Sequence, residues 1–146
     1  MKNRLRDNQR SKVYEAERII FHRGQEFKNM KDINKYVNHI CKSMFWKKLN
    51  GSLDIDVKDG RGRRKPCAFN SYTIALPRWG RQEAVILHEL THTLISFNGY
   101  YLAHHGNEFA KMYLNLVRHY MGREFYLDLK TSFKKFHVHY SVKKSK

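Results

Sequence analysis

No stretch of this 146-residue sequence approaches the ~18 consecutive apolar residues of a membrane-spanning helix, so no membrane partner is expected. Met1 to Arg10 is polar and charged with no apolar run behind it, which does not read as a secretory signal peptide. The expectation is a cytoplasmic protein. Cysteine is scarce: Cys41 and Cys67 are too few for a disulfide scaffold, and a reducing compartment favours free thiols. No CxxC pair occurs, which excludes a cysteine zinc ribbon. Acidic residues are also few, 13 Asp plus Glu against 29 Lys plus Arg, leaving a formal net charge of +16. A surface this basic attracts polyanions such as DNA or RNA and says nothing about the fold.

The chain length suits one domain over residues 1–146, with the basic ends 1–6 and 143–146 expected to fray. The 41% hydrophobic and 14% aromatic content argues for a folded globule. Arg6-Asp7-Asn8-Gln9 offers an N-cap to a first helix over about 8–21, where Val13, Ala16, Ile19 and Ile20 fall at helical spacing. A second helix starts near Asn29 or Lys31-Asp32 and runs to Asn50-Gly51, with Cys41 on its apolar face. Residues 52–58 alternate as a strand with one wet face. Asp59-Gly60-Arg61-Gly62 turns, and two short strands fit 66–70 and 71–76. A central buried helix follows over about 81–97, apolar almost all round. Two more helices fit 107–121 and 123–135, and a last strand fits 137–142. The fold class is α+β, with about five helices and a small antiparallel sheet.

His88-Glu89-Leu90-Thr91-His92 is an HExxH sequence inside the most strongly helical stretch. At i and i+4 the two imidazoles share one face, one turn apart, which suits two nitrogens on a tetrahedral zinc. Glu89 then lies beside the open coordination position, where it serves as general base. The alternative is a pair of histidines and a buried Glu satisfied by local hydrogen bonds. A buried carboxylate in so apolar a helix is costly, and a metal accounts for it better. No Lys or Arg occurs over 82–110, which holds Glu83, Glu89, Glu108, His88, His92, His104 and His105. A dication gains when fixed cations stay away. A metzincin would carry Gly at 95 and His at 98, but these are Ile95 and Asn98. Candidates for the third ligand are His105, favoured for its loop-to-helix position before Gly106, then Glu108 and His104.

HELTH followed by His105-Gly106-Asn107-Glu108-Phe109 resembles the SprT/Spartan group of metalloproteases, which join HExxH to a later HGxxF or HGxxW. The chain is closer still to a family of small metallohydrolases of bacteria and their phages. That likeness includes the segment Arg6 to Glu17, Ile74-Ala75-Leu76-Pro77 and Gly122, and spans about 6–138. It implies a zincin-like fold, His88, His92 and His105 as zinc ligands, and Glu89 as base. These residues include no C-terminal zinc ribbon, so the DNA–protein crosslink substrate of Spartan does not transfer with the motif.

The expected function is thus a zinc-dependent metalloprotease acting on a protein or peptide substrate, including proteins bound to nucleic acid. Its rivals are a hydrolase of a non-peptide amide and a basic nucleic-acid-binding protein with a structural zinc. Arg61, Arg63, Arg64 and Lys65 form a turn able to grip phosphates or simply to stand in water. Tyr100 and Tyr101 are candidates to line the cleft or the oxyanion, and Tyr14 and Arg10 to pack on the site. His137 and His139 read as surface residues. Phosphate binding works through counterion release, so affinity for random-sequence DNA or RNA should fall about tenfold or more from low to physiological salt. Neutralising Arg61, Arg63, Arg64 and Lys65 together should flatten that slope; a slope unchanged by the quadruple variant, measured by fluorescence anisotropy, would locate the contacts elsewhere.

Overall fold

Helical periodicity organises the first third of the chain. The computed structural model describes residues 6–50, 54–98 and 102–142. Helix α1 (Arg10–Phe21) buries Val13, Ala16 and Ile20 on one face, and with them, unusually, Glu17. Its N-cap is Gln9, the last of the four residues expected to offer one, which makes no side-chain cap; Asp7 meets His105 instead. Helix α2 (Met30–Lys42) is capped by Asn29, whose Oδ1 accepts from the Asp32 N–H at 2.9 Å. It buries Ile33, Val37, Ile40 and Cys41. The single helix expected through Asn50 is two. Ser43 turns extended, its hydroxyl donates to the Ile40 carbonyl at 2.7 Å, and its Oγ accepts from the Trp46 N–H at 3.3 Å. A short polar side chain thus competes with the helical ladder, ends α2 and starts α3 (Met44–Asn50).

The sheet is mixed rather than antiparallel. Its strands are β1 (Asp56–Asp59), β2 (Cys67–Asn70) and β3 (Thr73–Leu76), in the order β1-β3-β2. β3 pairs antiparallel with β2 through a tight hairpin but parallel with β1. All four residues of β3 are buried, and an apolar strand of that kind takes the centre of a sheet while its half-wet neighbours take the edges. Centring β3 inserts it between the two earlier strands, which makes its pairing with β1 parallel. Of the expected strand at 52–58, residues 52 and 53 lie outside the described set, as do Tyr100 and Tyr101.

Helix α4 (Glu83–Asn98) packs on β2 and β3 on one side and on α1 and α5 (Asn107–Tyr120) on the other. α6 (Arg123–Lys135) closes the helical layer against α1 and α5. One hydrophobic cluster draws on all six helices, β1 and β3. The buried hydroxyls of α4 are satisfied within it: Thr91 donates to the Leu87 carbonyl and Thr93 to that of Leu90. The start of α4 is fastened by the Tyr36 hydroxyl, which donates to Glu83 at 2.6 Å, and by reciprocal backbone bonds between 25–27 and 81–83. No last strand forms at 137–142. The backbone of that segment bonds to side chains instead: Gln9 Nε2 donates to the His139 carbonyl, Gln9 Oε1 accepts from the His139 N–H, and Asn107 donates to the Ser141 carbonyl. No helix among the described residues is long and apolar enough to cross a membrane.

Gly60 ends β1 where the chain touches the end of β3. A Cβ there would stand 2.7 Å from the Leu76 carbonyl carbon and 2.8 Å from the Pro77 nitrogen, both backbone atoms that cannot swing aside. Gly60→Ala should therefore cost about 1–3 kcal/mol and lower the melting temperature by roughly 2–12 °C. A thermal melt indistinguishable from the parent would show that the approach is looser than described.

Candidate metal centre

The helical repeat sets His88 and His92 on one face of α4, and their Nε2 atoms stand 3.2 Å apart. His105, on the loop before α5, brings its ring against both, with centroids 5.4 Å from His88 and 4.7 Å from His92. Ligating atoms of the three residues all lie within 4.8 Å of one another, a cluster that can hold a metal ion. A tetrahedral centre with bonds of ~2.0–2.1 Å spaces its nitrogens about 3.3 Å apart, close to the His88–His92 separation. Neither His104, which is exposed, nor Glu108 belongs to the cluster. Glu108 lines a separate groove with Arg6, Asn8 and Leu102.

Two carboxylates, Glu17 buried and Asp7 half-buried, orient the rings from behind. Glu17, on the apolar face of α1, meets His88 Nδ1 at 2.6 Å. Asp7 meets His105 Nδ1 at 2.8 Å, and its other oxygen accepts the His105 backbone N–H at 3.1 Å. A ring that donates from Nδ1 to a carboxylate presents a bare Nε2 when neutral, so both contacts select the ligating tautomer. Gln9 adds a clamp from the same segment, donating to the His105 carbonyl at 3.1 Å. His105 Nε2 is buried and meets no hydrogen-bond partner within the protein. A buried nitrogen lone pair left so, beside two others, fits a cation better than it fits a packed core.

Charge points the same way. Burial disfavours the His88 imidazolium, yet Glu17 and then Glu89 outweigh burial and raise its pKa above the usual value. The pocket holds two acids at 3% and 6% exposure, Glu17 and Glu89, and calls for positive charge between them. His105 takes the opposite course: burial and the neighbouring His88 charge depress it to about 4 against the pull of Asp7, which keeps it a neutral donor. Glu89 Oε2 lies 3.8 Å from His88 Nε2. Burial, opposed by His88 and assisted by Glu17, lifts its carboxyl to about 7.

Phe109 forms the floor. Its fully buried ring lies 4.9, 4.6 and 5.0 Å, centre to centre, from His88, His92 and His105. Tyr14 packs on the outer side, stacked 5.9 Å from His88 and edge-on 5.2 Å from His105. Burial raises its pKa despite a hydrogen bond with Arg10, so it stays a hydroxyl. Tyr113, buried beneath, donates to the Ala84 carbonyl at 3.2 Å beside Glu17.

The centre opens into a cleft of about 590 Å³ that Arg64 and Lys65 line together with His88 and Glu89. Arg61 and Arg63 are occupied: one pairs with Asp59 at 3.2 Å, the other lies 4.6 Å over the Phe69 ring. Within the basic turn, Arg61 and Arg63 thus contact neighbouring side chains while Arg64 and Lys65 border the cleft. His137 and His139 are exposed, in keeping with surface residues.

Neither a protein-family model, nor a curated protein, nor a solved structure matches the chain.

Sequence reasoning placed Asp7 within a capping segment and gave it, Glu17 and Phe109 no role at the centre. Glu17 left a signal: an acid at an apolar position of an amphipathic helix, between Ala16 and Ile20. Asp7 left none, because nothing in one dimension relates it to His105. Carboxylates behind metal-bound imidazoles are worth about 10–100-fold in metal affinity. Glu17→Gln and Asp7→Asn should each weaken metal binding by that factor in a chelator competition, while the far-ultraviolet circular dichroism stays unchanged. Affinity equal to the parent in both variants would deny them this role.

Proposed function

We propose that the protein is a zinc-dependent metallopeptidase in which His88, His92 and His105 hold the metal and Glu89 is the general base. The observation that carries this reading is the convergence of three imidazoles on one point, two of them backed by carboxylates, with Glu89 standing free of that backing beside the same point. Three neutral imidazoles with an open side form the donor set of catalytic zinc. A zinc ion held by His88, His92 and His105 would supply Lewis acidity towards an amide carbonyl and a water molecule, whose pKa such a centre brings towards ~7.

The chain's own groups supply the rest. Glu89 accepts a proton from the attacking water and delivers it to the leaving amine nitrogen as the C–N bond breaks. Phe109 and Tyr14 flank the rings and limit access of bulk water. Tyr14 also offers a protonated hydroxyl on the cleft side. A purely structural metal in a nucleic-acid-binding protein gives no account of Glu89, which ties no imidazole by its Nδ1 and lines an open cleft. The basic surplus of the chain supports action on proteins bound to nucleic acid.

Purified protein should hold about one zinc per chain by elemental analysis, and His88→Ala should lose it. Glu89→Gln should retain the zinc and lose turnover of a generic protein substrate by ~10²-fold or more. His105→Ala should weaken zinc binding, whereas Glu108→Ala should not. A zinc-free protein whose stability ignores chelator would overturn the reading.

A further inference from the structure

We propose that the cleft beside Glu89 is a subsite for polypeptide carrying an acidic side chain next to a bulky apolar one, a substrate class resting on the metallopeptidase reading above. The cleft has two kinds of wall. Phe21, Pro66, Trp79 and Val85 give it apolar surface, and Arg18, Arg64 and Lys65 give it cations. Its two acids, Glu17, which meets His88 Nδ1, and Glu89, both lie at the histidine end of the cleft. Arg18 is shared with Glu15 at 3.7 Å, an exposed and weak pair.

What singles out Arg64 and Lys65 is that other guanidiniums near the site are committed. Arg61 and Arg81 both hold Asp59, and Arg63 lies on Phe69. Among the described residues no ion pair is made by Arg64 or Lys65, and these are the members of the basic turn that border the cleft. Trp79 fixes their position: its indole N–H donates to the Arg64 carbonyl at 2.7 Å. The same indole is 52% exposed, a large aromatic held rigidly beside two unpaired cations. Rigid aromatics near positive charge, in a cleft within the ~300–1,000 Å³ range of enclosing sites, recognise an apolar side chain and a carboxylate together. A nucleic-acid strand fits less well, because it needs a continuous track of cations and here would run from two of them towards Glu89.

The test separates recognition from turnover. Zinc-loaded Glu89→Gln protein is titrated with fluorescent dodecapeptides that share a central Phe-Leu and differ only in flanks of Asp and Glu, of Ser, or of Lys. The acidic peptide should bind at least tenfold tighter than the Ser peptide, and the Lys peptide most weakly. Arg64→Glu with Lys65→Glu should reverse that order at unchanged zinc content, while the distant pair Lys31→Glu with Lys35→Glu should preserve it. Trp79→Ala should weaken all three peptides. An order indifferent to flank charge, or one that survives the Arg64/Lys65 reversal, would overturn the subsite. So would oligothymidine displacing the acidic peptide at lower concentration and losing that power in the same double variant, for the cleft would then be a nucleic-acid site. Charge-selective binding with no hydrolysis by the parent enzyme would keep the subsite and remove the peptidase reading. Hydrolysis of all three peptides at equal rates would do the reverse.

Discussion

Burying a carboxylate costs on the order of several kcal/mol unless something positive or hydrogen-bonding meets it, and Glu17 is buried to 3% exposure in the middle of an otherwise apolar helix face. Its partner is His88, at 2.6 Å. That contact joins α1 to α4, decides which nitrogen of His88 points inward, and leaves the inward nitrogen facing His92 and His105. The same carboxylate, acting with burial, contributes to the raised pKa of Glu89. Much of the chemistry attributed to the centre follows from this one ion held in an apolar place.

The second carboxylate repeats the device from a different direction. Asp7 lies before α1, His105 before α5, and their separation along the chain is 98 residues. Gln9 ties the same N-terminal segment to the His105 carbonyl and to His139 near the other end. Three short segments, none of them regular secondary structure, are thus fastened to one another by side-chain bonds. The rigid part of the cluster comes from α4, and its third histidine is held by this clasp. Ligands on a helix are placed by the backbone ladder, whereas a ligand on a loop depends on partners such as these.

Aromatic packing completes the separation of the centre from solvent. Phe109 touches all three imidazoles, which gives a physical role to the aromatic that follows His105-Gly106. Its position one turn into α5 places it beneath the rings because α5 packs along α4. Towards the cleft the surroundings change from apolar to cationic, with Trp79 binding the basic turn to the entrance.

Periodicity alone determined much of this protein. The i,i+4 spacing of His88 and His92 puts both on one face in any straight helix, and the run from Ala84 to Ile95 is too apolar to lie anywhere but the interior. The elements α1, α2, α4, α5 and α6 were legible for the same reason, as was the mixed α+β class. The break at Ser43 was not, because a serine in a helical pattern reads as neutral until its hydroxyl is seen bonding to Ile40. Nor was the parallel pairing of β1 with β3, which depends on which strand the core covers on both faces. The third histidine was one of three candidates along the chain, and proximity selected His105. Only the tertiary structure could pair Asp7 with His105, Glu17 with His88, Arg61 with Asp59 and Arg63 with Phe69. These contacts are long-range or depend on the path of a turn, and a linear pattern carries no information about which distant side chain fills the space beside a residue.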